Sequence, residues 1–139
     1  MGVLADIYVS PDGDAARYDG RPEWPGGDRV QYKGVTPLEL STLWAIVRSR
    51  KWDISMMKEF PCILKVDGGG RLIHKLPAAM LADLATLAPE RLDDVSRRWA
   101  TTDDLCWPQR DARDVIDDLL RLARRAAETG RGVLLWNSV

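Results

Sequence analysis

The residues best able to do chemistry crowd into one stretch. CILKVDGGGRLIHKLP, residues 62–77, holds three consecutive glycines, the cysteine Cys62 and the chain's only histidine, His74. A cysteine beside a histidine is a potential nucleophile and base, the core of a small hydrolase or transferase. Such chemistry also needs a third group to orient the imidazole. Asp53, Glu59 and Asp67 are in range, and no spacing selects one of them. The glycines do not make a phosphate cradle, which needs Lys with Ser or Thr leading into a helix. Here RLIHKL follows, an extended-looking segment with no cap. Asp-Gly between two apolar runs instead predicts a hairpin, with Cys62 and His74 on opposite arms.

Other constellations are weaker. Zinc would have to gather His74, Cys62, Cys106 and a carboxylate from distant segments, so neither a metal nor a cofactor is expected. Asp12, Asp14 and Asp19 lack the ligand alternation and terminal glutamate of a calcium loop, and read as turn formers. Asp93-Asp94, Asp103-Asp104 and Asp117-Asp118 read as solvated or capping carboxylates. Arg121, Arg124, Arg125 and Arg131, with Arg97 and Arg98, form a basic patch that could bind nucleic acid. A formal net charge of -1 argues against the strong field that such binding uses. Both cysteines are expected to be small buried thiols in a reducing compartment.

The tryptophans carry a different signal. There are six, against one phenylalanine. Trp44, Trp99 and Trp136 lie in apolar patterns and are expected in the core. Trp52 falls at a helix junction, while Trp24 (PEWPGG) and Trp107 (CWP) sit beside prolines in segments without a period. Tryptophan is enriched at interface hot spots, where its area binds and its indole N–H finds an acceptor.

The elements that must position these residues are readable from local pattern. VLADIYVS predicts a strand over Val3–Val9. A long Gly/Pro-rich loop is expected over about 12–34, within which RVQYK could form a short strand. TPLE at Thr36–Glu39 is a capping box with proline at the first helical position, opening a helix to about Arg50. Leu40, Leu43, Trp44 and Val47 form its apolar face. Asp53 caps a shorter helix that Pro61 ends. Pro77 and Pro89 suit the first turns of two more helices, with Ala78, Leu81, Leu84 and Leu87 inward on one and Leu92, Val95 and Trp99 on the other.

Pro108 begins the longest helix, running to Thr129 with aspartates in front and arginines behind, in the order the helix dipole favours. Arg113–Asp117 and Asp117–Arg121 fall at i,i+4 on it. Gly130 closes it, and GVLLWNSV follows as a strand whose four consecutive apolar residues predict a central position. The whole reads as a single α+β domain over 1–139: a small, mainly antiparallel sheet packed against about five helices.

Asp6 breaks the N-terminal apolar run and leaves no signal-peptide core, and the apolar runs are too short to span a bilayer. The expectation is a cytoplasmic protein, with no membrane partner. Arginines outnumber lysines 15 to 5, a skew that fits a GC-rich bacterial genome. With no convincing catalytic set, elimination favours a protein-binding module of immunity, inhibitor or adaptor type that occludes its partner. Its contact residues would be Trp24, Arg17, Arg21, Arg29 and Trp107. The alternative is an enzyme using Cys62 or a carboxylate with His74. Nucleic-acid binding through the arginine patch ranks third.

Overall fold

The computed structural model describes residues 3–10, 29–103 and 105–138. Its strands are β1 (Leu4–Ser10), β2 (Arg29–Lys33), β3 (Cys62–Val66), β4 (Arg71–Lys75) and β5 (Gly132–Ser138). They form one sheet in the order β2-β1-β5-β4-β3, with every pairing antiparallel. Among the described residues the α-helices are α1 (Pro37–Val47), α2 (Ala78–Ala85), α3 (Leu92–Ala100) and α4 (Gln109–Thr129). Short 3-10 turns occupy Ile54–Glu59, Asp67–Gly69 and Pro89–Arg91. The expected α+β architecture, with N- and C-terminal strands and a central hairpin in one sheet, is the one adopted.

β5 is the middle strand, as its apolar run predicted. Side chains alternate across it: Val133 and Leu135 join the cluster that holds the helices, while Leu134 and Trp136 join Tyr8 and Ile73 on the other face. No residue of the four α-helices belongs to that second cluster. In the first, Leu40, Leu43, Leu119 and Leu135 are fully buried, each contributing about 2 kcal/mol. The buried stripe of α4, from Ala112 through Val115, Ile116, Leu119, Leu122 and Ala123 to Ala126, is the one its spacing predicts.

Local chemistry sets the boundaries. Thr36 caps α1: its amide donates to Glu39 Oε1 at 2.8 Å, and its hydroxyl accepts from the Leu38 amide at 3.3 Å. Asp53 caps the 54–59 turn by accepting the Ser55 amide at 2.7 Å. The hairpin turn needs three successive positive φ values, at Asp67, Gly68 and Gly69. Aspartate tolerates that region and glycine is free in it, which explains the composition of DGGG. Gly130 ends α4 in the same left-handed region at φ 66.

Some local expectations are corrected. RVQYK forms the short strand its residues allowed, so the expected loop over about 12–34 gives way to β2 at Arg29–Lys33 and to Gly34 beyond it, while residues 12–28 lie outside the described residues. On α2 the inward residues are Met80 and Leu84, followed by Leu87, while Ala78 is exposed and Leu81 only half-buried. The helix is only two turns long, and its register against α4 rather than its own composition selects the buried side. Arg121 pairs with Asp118 at 3.7 Å, one residue closer than the predicted Asp117.

Three tryptophans fasten the helical layer together through their indole N–H groups. Trp99 donates to the Glu39 carbonyl (2.9 Å), Trp52 to Ser41 Oγ (2.9 Å) and Trp44 to Asp83 Oδ2 (2.8 Å). Asp83 also takes the Arg48 Nε at 2.6 Å, and the guanidinium lies 4.4 Å from the Trp44 ring centre. Burial pushes the Asp83 carboxyl up, but the bonds from Trp44 and Arg48 outweigh it and hold it below its ordinary value.

Asn137 performs a related task at the seam of the sheet. Its buried side-chain amide donates to the Leu4 carbonyl at 3.1 Å and to the Val35 carbonyl at 2.9 Å. It thereby joins β5 to the start of β1 and to the segment entering α1. Asn137→Ala strands two carbonyls and is expected to lower the unfolding free energy by about 2 kcal/mol, read from urea midpoints at constant m-value. A midpoint unchanged from the parent would show that the seam does not depend on this amide.

Candidate functional site

Cys62 and His74 stand opposite each other across β3 and β4, with an irregularity in register between Cys62 and Leu64. Directly opposed residues share a sheet face, so the two belong to the same side. His74 is also the partner of Leu135, which points at the helices. Their polar atoms are not joined, however. The Cys62 thiol donates to the Leu64 carbonyl at 3.4 Å, while His74 Nδ1 is buried without a hydrogen-bond partner. Burial pushes the His74 imidazole below its ordinary 6.5, favouring the neutral ring. Among the described residues no group of three or more His, Cys, Asp or Glu is placed to hold a metal ion.

Both cysteines are exposed, contrary to the expectation of buried thiols. Cys62 opens an edge strand directly after Pro61, and Cys106 occupies a turn at φ 49 that projects from the α3–α4 connection. Cys62 lies on the helix-bearing face but at the outer edge of the sheet, and Cys106 lies in a connection between helices, so both thiols remain exposed.

A groove of about 390 Å³ lies between β2 and the front of α4, lined by Tyr32, Lys33, Trp107, Asp111, Asp114 and Val115. Its walls follow from the elements that carry them. After α3, Leu105 and Cys106 donate their amides back to the Thr102 carbonyl, and Trp107 donates its own to the Ala100 carbonyl at 3.0 Å. This turn delivers Trp107 onto the buried Trp99 ring, with centroids 6.3 Å apart and planes tilted by 52°. Pro108 then starts α4, whose exposed first turns carry Asp111 and Asp114.

The opposite wall is β2. Tyr32, paired with Ala5 across the sheet, donates its hydroxyl to the Asp118 carboxylate and so ties the edge strand to α4. Burial first, then this bond and the nearby charges of Asp118 and Asp114, hold the phenol well above its ordinary 10.0. It remains a neutral donor at any physiological pH.

What distinguishes the groove is unspent bonding capacity. Trp44, Trp52 and Trp99 use their indole N–H groups inside the fold, and Trp136 also has a polar or ring partner. Among the described residues the Trp107 indole N–H has no hydrogen-bond partner, although its ring is half-buried. The carboxylates of Asp111 and Asp114 likewise make no hydrogen bond or ion pair with any described residue. Nearby Asp93, Asp94, Asp117 and Asp118 are all engaged, with Arg113, Arg97 and Arg98, Arg113, and Tyr32 and Arg121 respectively.

Of the residues proposed for partner contact, Trp107 lines this groove. Arg29 is the first residue of β2, opposite Tyr8, and already has a partner in the fold. Trp24, Arg17 and Arg21, with Asp12, Asp14 and Asp19, lie outside the described residues. In the arginine patch, Arg97 and Arg98 turn to Asp94 and Arg121 to Asp118. Sequence reasoning missed Tyr32, Lys33, Asp111 and Asp114. The aspartates carried a signal, since positions 111 and 114 are an i,i+3 pair beside Trp107, but helix-dipole complementarity already accounted for them.

No protein-family model, curated protein or solved structure matches this chain. No described helix is long and apolar enough to cross a membrane.

A histidine kept neutral by burial makes stability depend on pH with a definite sign. Below 6.5 the unfolded chain binds a proton that the folded chain resists, so stability falls as pH drops through that value toward the folded pKa. His74→Leu removes the group. The unfolding free energy of wild type minus that of the variant is expected to fall from pH 7.5 to about 5.5, in urea titrations at each pH. A difference constant with pH would mean that His74 titrates normally in the fold.

Proposed function

We propose that this chain is a protein-binding module that acts without catalysis, by covering a surface of its partner in the manner of an immunity protein, inhibitor or adaptor. The observation that supports this reading is Trp107: a half-buried tryptophan at a groove, seated on a rigid core ring, with its indole N–H unused. Preorganised aromatic anchors of this kind supply much of the energy of protein interfaces at little entropic cost. Tyr32, fastened to Asp118, provides a second fixed aromatic on the facing wall.

A second reading, a hydrolase or transferase using Cys62 with His74, is favoured by the register that sets the two residues opposite each other. It ranks below the first because the thiol bonds to the Leu64 carbonyl, and His74 Nδ1 has no group to orient it. The arginine patch supports nucleic-acid binding least, since several of its members are engaged by neighbouring aspartates.

The test begins with the partner that the tagged chain captures from its own cell. Trp107→Ala is expected to weaken that complex about thirtyfold by calorimetry, the effect of an interface hot spot. Circular dichroism and urea midpoints check that the variant stays folded. A folded variant that binds its partner as tightly as wild type removes the groove from the interface.

A further inference from the structure

The groove's unused groups specify more than an interface. We propose that it receives an arginine side chain presented by a basic segment of the protein partner, an inference that rests on the protein-binding reading. Two carboxylates without partners among the described residues, Asp111 and Asp114, stand in a lining whose one described cation is Lys33. The third nearby carboxylate, Asp118, is committed to Tyr32 and Arg121. The local field therefore favours a positive guest, although the chain as a whole is close to neutral.

The aromatics narrow the choice. A guanidinium is planar and weakly hydrated; it stacks on Trp and Tyr faces and offers forked donors to carboxylates, where an ammonium offers a point charge. Trp107 and Tyr32 supply the faces, and Val115, almost fully buried, supplies an apolar floor for the aliphatic stem. The remaining group is the Trp107 indole N–H, a donor that a guanidinium cannot satisfy. A guest that excludes water from it must offer an acceptor close to the cation, and in a peptide a backbone carbonyl provides one. Acidic walls, aromatic faces and a lone donor together fit an arginine within a chain better than a free small cation. A space of about 390 Å³ accommodates that side chain with part of its backbone.

The probe is a short fluorescein-labelled peptide with a central arginine flanked by neutral residues, alongside versions with lysine, citrulline and glutamate at that position. Affinities come from anisotropy at low salt, and the Trp107 indole resonance, assigned by its loss in Trp107→Phe, is followed by 1H–15N NMR. The arginine peptide is expected to bind most tightly and to shift that resonance. Asp111→Asn with Asp114→Asn is expected to weaken it about fivefold to tenfold, with a marked loss on added salt. Lys33→Gln, which removes the opposing charge, is expected to bind at least as tightly.

Equal binding of the citrulline peptide, an unmoved indole resonance, or weaker binding by Lys33→Gln would overturn the proposal. So would dimerisation of the chain that Trp107→Ala abolishes, because a second copy would then fill the groove. If the captured cellular partner depends on Trp107 but not on Asp111 and Asp114, the arginine guest is excluded while the protein-binding reading stands. If it depends on neither, the groove is no part of the interface and the arginine guest is excluded with it; if the chain captures no protein at all, the protein-binding reading falls.

Discussion

The pairing of the first strand with the last governs the rest of the fold. β1 and β5 run antiparallel over seven residue pairs, from Leu4 opposite Ser138 to Ser10 opposite Gly132. Every other strand hangs from this ladder: β2 pairs with β1, β4 with β5, and β3 with β4. Closing it joins segments far apart in the chain, at an entropic cost that a local pairing such as the β3–β4 hairpin does not carry. The alternation of β5 offsets that cost by placing Leu135 in one apolar cluster and Leu134 in the other. Asn137 adds polar specificity by tying the same strand to Leu4 and Val35.

From this arrangement the groove follows as a geometric consequence. α4 feeds directly into β5 through Gly130 and packs on β1 and β5. β2, at the sheet's edge, then runs alongside the helix and meets it through Tyr32 and Asp118. An edge strand left free is a hazard for unwanted pairing, and a side-chain tie to a helix is one way to hold it in place. The tie closes one part of the interface between β2 and α4, while the space toward Trp107 stays open as the groove.

The charge pattern of α4 serves two ends. Aspartates near a helix N-terminus are stabilised by its dipole whatever else they do. Asp117 and Asp118 go on to make ion pairs or hydrogen bonds, whereas Asp111 and Asp114 keep their full acceptor capacity beside two aromatic rings. The same sequence feature therefore contributes to helix stability and gives one surface a negative wall. The tryptophans divide similarly. Trp99 is spent on the core, and by filling it provides the rigid backing that holds Trp107 at the surface.

By itself the sequence determined the features that depend on a few neighbouring residues. The Thr36–Glu39 capping box, the Asp53 cap, the left-handed DGGG turn, the Gly130 stop, the buried stripe of α4 and the central, buried β5 follow from backbone geometry and local periodicity. Tertiary structure alone decided what depends on residues far apart in the chain. It set Cys62 opposite His74 yet left their polar atoms apart, and it kept both cysteines at the surface. It also brought Trp107, one of several tryptophans beside prolines or helix ends, to an open groove that Tyr32 lines as well. Each of these outcomes rests on strand order and on which face of a helix is covered. Those are settled by packing the whole chain against the β1–β5 ladder, a global constraint that no local pattern contains.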